Sequence, residues 1–481
     1  MTFSSVPLKI LARLCRKHFL IAAAILPLVV LFFFLGVEEP ICVGDCDGYT
    51  LLMGATPWKI AYWRVLRSAF RSWTVPVLYS LFGRYSAASA HMLVVAQAVF
   101  LLAATVTFAL AVASRFDPEQ RWWIGFAVAT TLAFQQGYLL FSSFLLSDAL
   151  AWTLVLLLLA TVVAWDRLLD HFGFLRSAFC YLALGCMAIG ARDANQQLLI
   201  LFTAYLLIRG RARLTRTQKI ALVAGVACLC VEQAHWATRR FSTNIESVLI
   251  GRILPVPDRR EFFLRHGMPP AYAELGKTLP QQPLGTIDKD VVTAGRIRFE
   301  SLDRAYLRVA PRTYVLWMLT HPGQVAHIVA VDRSIIFGND FLRLHYARLQ
   351  LATVARRLEM GSAVDHRPET PMFHLRQKLL VLRPSFLERT PIEFRLALIL
   401  AIVALGLWQG ARVFLGGVAG FALVMILIGT LNACSGFLAD YWETIEMQRH
   451  AAVGSMMLNA GTLILILWAL QYASRLARSR R

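Results

Sequence analysis

Long apolar runs recur along this chain, and they constrain its fold more than any other feature. A helix satisfies its own backbone hydrogen bonds, and a hydrocarbon core of roughly 30 Å takes about 20 residues of it. Segments that read this way are 19–36, 90–114, 122–139, 148–165, 178–191, 196–208, 220–237, 393–411, 413–433 and 452–473. The fifth and sixth are short, and the sequence leaves open two separate spans or one broken hairpin around Arg192. With 57% hydrophobic and only 16% charged residues over 481 positions, the chain is too apolar for an ordinary water-soluble globule. The expected fold class is an all-α membrane protein: a polytopic bundle of about ten transmembrane helices, with a long first outer loop carrying interfacial helices and a mostly helical outer insertion.

Basic residues set the expected orientation. Lys9, Arg13, Arg16 and Lys17 precede the first run, which places the N-terminus in the cytoplasm by the positive-inside rule. Alternating from there, the loops with Arg115/Arg121, Arg167/Arg176 and Arg209/Arg213/Arg216/Lys219 also fall inside. So does the tail with Arg475 and Arg478. Both termini are thus expected to be cytoplasmic, in a multi-pass protein of a bacterial inner membrane. The first run lacks a small-residue cleavage site and reads as a retained anchor. The net charge of +20 follows this topology in part, and the outer segment adds to it. Anionic membrane lipids are therefore expected partners. No nucleic-acid module is expected, because no recognition motif accompanies the charge. None of the eight cysteines has zinc-site spacing.

Three parts follow in order: a transmembrane block over 1–237, an outer insertion over 238–392, and a second transmembrane block with a basic tail over 393–481. The insertion opens with Pro255, Pro257, Pro269 and Pro270, which predict loops there, and its later stretches 291–318 and 341–359 show helical spacing. Segment 325–338 is apolar but too short and too charged, with Asp332 and Arg333, to span. In the first outer loop, Trp58, Trp63, Leu66 and Phe70 interleave with Lys59, Arg64, Arg67 and Arg71, the pattern of a helix lying in the headgroup layer. A second short helix is predicted over 75–84.

Charges at a membrane edge are costly to keep and are functional candidates by default. Under the topology above, all of the following map to the outer side: Asp45 and Asp47 after the first span, Asp148 opening the fourth, Arg192 and Asp193 between the fifth and sixth, and Glu443, Glu446, Arg449 and His450 leading into the tenth. Glu232 and His235, at the end of the seventh, join them. Each taken singly is explained by a cap or a solvated helix end; Asp148, for one, can serve as an N-cap. Their convergence on one side suggests transfer chemistry on a lipid-borne substrate. A carboxylate there can act as general base on an acceptor hydroxyl, while Arg or His neutralises a phosphate leaving group.

The arrangement resembles the GT-C class of integral-membrane glycosyltransferases, which includes aminoarabinose transferases and protein O-mannosyltransferases. In that class an acidic motif, often Asp-x-x-x-Tyr, follows the first span, and Asp45 and Tyr49 have that spacing. Ser147-Asp148 is similar to the acid that opens the fourth span. Glu443 and Glu446, followed by Arg449-His450, resemble a late outer acid followed by Arg-His. The resemblance implies catalytic roles for Asp45, with Asp47 as understudy, and for Asp148 in an acceptor or metal site. It implies substrate-binding roles for Tyr49, Arg192, Asp193, Glu443, Glu446, Arg449 and His450. The implied donor is a polyprenyl-phosphate-linked sugar, and the acceptor a glycan, lipid or protein of the envelope; the need for a divalent metal stays open. Two departures stand out. The insertion lies between the seventh and eighth spans, and Trp122-Trp123 is followed by Ile124 rather than by the Asp of the oligosaccharyltransferase signature. Two other readings compete. A polysaccharide polymerase or ligase would use Arg259, Arg260, Arg265, His266 and His321 of the insertion. A lipid or solute transporter would place charges at mid-membrane, where they are nearly absent.

Overall fold

The computed structural model describes residues 57, 59, 62–63, 73–84, 86–135, 147–192, 195–210, 213–279, 304–337, 387, 390–438 and 444–479. Among these the chain is predominantly helical and contains no strand. The first helical block comprises α1 (Thr74–Ser80), α2 (Ala87–Ala113), α3 (Arg121–Ala133), α4 (Ser147–Ala191), α5 (Asn195–Arg209) and α6 (Arg216–Val248). The insertion contributes α7 (Pro257–Arg265), α8 (Pro270–Thr278), α9 (Ala310–Thr320), α10 (Pro322–Val331) and α11 (Arg333–Phe337). The chain then returns through α12 (Ile392–Gly416), α13 (Val418–Leu438) and α14 (Thr444–Ser479). Four stretches of the described chain are long and apolar enough to cross a membrane: Ala88–Ala113, Ala149–Ala191, Val418–Leu438 and Ala451–Arg478.

Local sequence explains where these helices start and turn. Ser86 caps α2 and Thr215 caps α6, each in a reciprocal box with the residue three positions on, Ser89 and Gln218. Within α4, Gly173 takes φ 71°, a left-handed conformation open to glycine at little cost. The chain folds back there. The rings of Trp165 and Tyr181 lie 5.8 Å apart, whereas a straight helix would separate those positions by about 24 Å. A second reversal follows at Arg192, because Tyr181 Oη lies 2.9 Å from Thr203 Oγ1 and 3.2 Å from the Leu199 carbonyl. The segments 147–172, 174–191 and 195–209 therefore run up, down and up as a zigzag, with the second reversal at Arg192.

Charge collects at one end of this bundle. Asp166 receives Arg209 at 2.6 Å and Arg115 at 3.3 Å, and Asp170 receives Arg213 at 3.2 Å. Arg167 donates to the Ser114 carbonyl at 3.0 Å, and Arg475 of α14 grips Asp117. Beside Arg475, the carboxyl of Asp117 is held below its ordinary range by that hydrogen bond. The participants come from the 114–120 loop, the Gly173 turn, the 209–215 loop and the C-terminal helix, so one layer of ion pairs ties four connections together. The Asp166 cluster, about one-fifth exposed, is the best-shielded part of it.

α13 and α14 form the closest helix pair. A Cβ on Gly461 would meet the Ala422 carbonyl at 2.8 Å, one on Gly429 the Gly454 carbonyl at 2.7 Å, and one on Gly454 the backbone of Gly429 and Ala433. Close backbone approach through small residues is the usual device where helices lack a hydrophobic driving force for association. Beyond the bundle, α6 continues past the expected boundary at 237 and passes into a π-helical turn, Leu249–Ile253. That extension carries a second core, in which Leu249, Ile253, Phe263, Tyr272 and Trp317 pack with Phe437 and Leu438 at the end of α13. The loops predicted at the insertion's prolines are a misreading: Pro257 and Pro270 open α7 and α8, where proline's fixed φ suits the first turn. The predicted short helix after residue 75 is present as α1, and a turn through Leu81 and Gly83 ends it. The first span 19–36 and the stretches 291–303 and 341–359 lie outside the described residues.

The α13–α14 crossing gives a stability prediction. Gly454→Leu should lower the melting temperature of the detergent-purified protein, at an overpacking cost of about 1–3 kcal/mol or more. Gly323→Ala, where a Cβ meets nothing within 4 Å, should leave it almost unchanged. Equal melting of the two variants would contradict the close crossing.

Candidate functional site

The end of the bundle opposite the ion-pair layer holds five of the residues singled out in the sequence: Asp148, Arg192, Glu446, Arg449 and His450. α4 begins at Ser147-Asp148, about 27 Å along its axis from Asp166. Arg192 occupies the second hairpin turn, and the first turns of α14 carry Glu446, Arg449 and His450. Ser435 of α13 donates to Gln197 of α5 at 2.8 Å, which fixes the ends of those two helices to each other. Asp148, Glu446, Arg449 and His450 are placed here by their backbone. Asp45, Asp47, Tyr49, Asp193 and Glu443 lie outside the described residues. α6 runs through Glu232 and His235 without ending.

Arg192 is 6% exposed, and tight backbone bonding holds its turn. Its N–H donates to the Ala188 carbonyl at 3.1 Å, and its carbonyl accepts from Asn195 at 3.0 Å. Asn195 Nδ2 donates to the same Ala188 carbonyl at 2.8 Å. α1 lies across this turn: Thr74 Oγ1 donates to the Met187 carbonyl at 3.0 Å, and Trp73 sits where a Cβ on Gly190 would go. The short helix α1 thus covers the turn that holds Arg192.

Beside it, the insertion docks on α13 through two residues that sequence reasoning did not select. Arg252, in the π-helical turn, is 1% exposed. Its Nη1 donates to the Leu438 carbonyl at 2.9 Å, and its guanidinium lies 4.3 Å from the Phe437 ring centre. Tyr314 Oη donates to the same carbonyl at 2.9 Å. The Leu438 carbonyl belongs to the open last turn of α13, so these two donors satisfy an acceptor that a helix end leaves without an intrahelical partner. Asp332 closes α10 and is 2% exposed. Burial pushes its carboxyl up to about 6, against a smaller opposite pull from the Arg252 charge. Arg395, near the start of α12, is also buried, with Nη1 donating to Asn459 Oδ1 at 2.7 Å. The guanidiniums of Arg192, Arg252 and Arg395 are therefore all buried toward this end.

Several basic residues of the insertion have structural partners. Arg259 Nη1 donates to the Arg252 carbonyl at 2.8 Å and Arg260 Nη1 to the Leu254 carbonyl at 2.9 Å. His266 and His321 both pack on Phe262, with ring centres 4.1 and 5.1 Å away. Among the described residues, no group of three or more His, Cys, Asp or Glu side chains is placed to hold a metal ion. Neither Arg252 nor Asp332 was visible as a site residue, because their surroundings come from distant parts of the chain.

The raised carboxyl of Asp332 sets a pH dependence. The folded protein holds a proton on this group, from the ordinary 3.8 up to about 6, that the unfolded chain releases. Stability from this group is therefore largest at low pH and declines as pH rises through that window. Asp332→Asn should raise the melting temperature above about pH 7, with the gain shrinking as pH falls below 6. A gain that does not vary with pH would contradict this burial.

Comparison of the chain with models of protein families, with curated proteins and with solved structures finds no match.

Proposed function

We propose that this chain is an integral-membrane glycosyltransferase of the GT-C kind. In this reading about ten spans cross a bacterial inner membrane, both termini are cytoplasmic, and the ion-pair layer faces the cytoplasm. The observation that carries the reading is the segregation of the bundle's two ends. The arginines expected inside by the positive-inside rule meet in one ion-paired layer, Arg115, Arg209 and Arg213 among them. The starts of α4 and α14 and the Arg192 turn lie at the other end.

The chemistry follows from that placement. Asp45, or Asp47 in its stead, takes the proton of an acceptor hydroxyl as the oxygen attacks the anomeric carbon of the donor sugar. The bond from that carbon to the lipid phosphate oxygen breaks, and its electron pair leaves with the phosphate. Arg192 and Arg449 would hold that phosphate, since guanidinium pairs with it through two parallel hydrogen bonds. Asp148 and Tyr49 would orient the acceptor, while Asp193, Glu443, Glu446 and His450 would line the donor and acceptor path. The donor in this proposal is a polyprenyl-phosphate-linked sugar, and the acceptor a glycan, lipid or protein of the envelope. The polymerase or ligase reading draws less support, because Arg259 and Arg260 are engaged with backbone carbonyls of their own domain.

The test is mass spectrometry of envelope glycans and polyprenyl-phosphate sugars from a deletion strain carrying wild type, Asp45→Asn, Arg265→Ala or nothing. A sugar modification should vanish on deletion, return with wild type and with Arg265→Ala, and stay at least about 100-fold reduced with Asp45→Asn at equal membrane abundance. Full restoration by Asp45→Asn, coupled with failure of Arg265→Ala, would favour the polymerase reading. No glycan change on deletion would remove the enzyme reading altogether.

A further inference from the structure

The outer insertion has two surfaces of opposite character. α7 and α8 turn charge outward, with Glu261 facing Arg265 at 3.9 Å and Glu274 facing Lys277 at 2.7 Å, all well exposed. The surface around α9 and α10 does the reverse. Val309, Val315, Leu316, Leu319 and Val331 are between 41% and 74% exposed, and among the described residues of 238–390 no other large hydrophobic side chain is so open. α10 is apolar over its ten residues, and only Ile328 is buried. A contiguous apolar surface of this kind marks an interaction site.

We propose that the α9–α10 face is embedded in the headgroup layer of the membrane leaflet on that side, as an interfacial anchor for the outer domain. This inference rests on the membrane-protein character of the chain and not on the transferase reading. The two helices have 11 and 10 residues, too short to span, so their open faces suit the plane of the interface. Continuity with the bundle supports a lipid occupant. Arg333 Nε bonds Glu393 at 2.8 Å, tying the start of α11, which follows directly on α10, to the first turn of α12. From that turn onward, the open side of α12 shows Phe394, Leu400 and Trp408 at 62, 68 and 91% exposure. The apolar patch therefore meets the bundle where an exposed apolar helix side begins.

Charge fits the same occupant. Arg308, Arg312 and Arg333 are exposed around the patch. The one acid between 304 and 333 is Asp332, and it is buried. Arg333 is engaged by Glu393, so Arg308 and Arg312 are the cations that the described part of this surface offers to anionic headgroups. A second copy of the chain would have to bring acids to meet Arg308 and Arg312, and residues 304–333 of the patch itself hold no exposed acid.

The experiment places nitroxide labels at Leu319→Cys, Ala326→Cys and Lys277→Cys in the full-length, otherwise cysteine-free protein. It is held as single protomers in nanodiscs of phosphatidylglycerol and phosphatidylcholine. Oxygen accessibility relative to a water-soluble nickel chelate should be severalfold higher at residues 319 and 326 than at 277. Nickel accessibility at 319 and 326 equal to that at 277 would mean that the face is in water and would overturn the proposal. Low accessibility to both reagents at 319 and 326 would mean a protein cover and would overturn it equally.

Discussion

Hydrocarbon tolerates backbone only where its hydrogen bonds close within the segment, and tolerates charge hardly at all. That constraint forces helices from this sequence and pushes their ionised residues to the ends. The consequence is visible in the zigzag 147–209. The Gly173 turn lies beside Asp166, Asp170 and their arginines, while the Arg192 turn is buried under α1. One reversal needs a glycine's left-handed φ and a solvated ion layer. The other uses side-chain and backbone bonding around Asn195, because charge at that end is enclosed by protein. Two turns of similar purpose thus differ in chemistry according to what surrounds them.

The insertion depends on the same bundle. α6 does not stop where its apolar stretch ends but runs on to Val248, and the second core grows on that extension. Its attachment is a shared acceptor: the Leu438 carbonyl binds both Arg252 and Tyr314, residues 62 positions apart in the chain. Asp332 adds a buried carboxyl whose charge is disfavoured there, so the joint between domain and bundle has an electrostatic bias as well as apolar packing.

Much of the helical layout was legible, because apolar runs and caps are local signals. The run 90–114 became α2, and the stop after 75–84 reflects the turn that Gly83 permits. The prolines of the insertion misled, since Pro257 and Pro270 punctuate as loop residues in a string yet fit a helix's first turn. Arg252 was hidden inside the apolar run Leu249-Ile250-Gly251-Arg252-Ile253, and the group it answers lies 186 residues away. Asp332 looked like a mere obstacle to spanning, because its burial depends on long-range packing. The acidic motif of Asp45 and Asp47, central to the chemistry, is known from its sequence alone, and it enters the proposal through its resemblance.

The central claim is that the two ends of the bundle face opposite compartments, with the candidate acids and Arg192 together on the outer one. A membrane-impermeant maleimide applied to intact spheroplasts tests it directly, using single cysteines at Ala55, Leu145 and Trp442 for the outer end and at Thr217 and Ala477 for the ion-pair end. The account requires labelling of the first three before lysis and of the last two only after it. Protection of any of the first three, or early labelling of Thr217→Cys or Ala477→Cys, would scatter the proposed site across two compartments and contradict it.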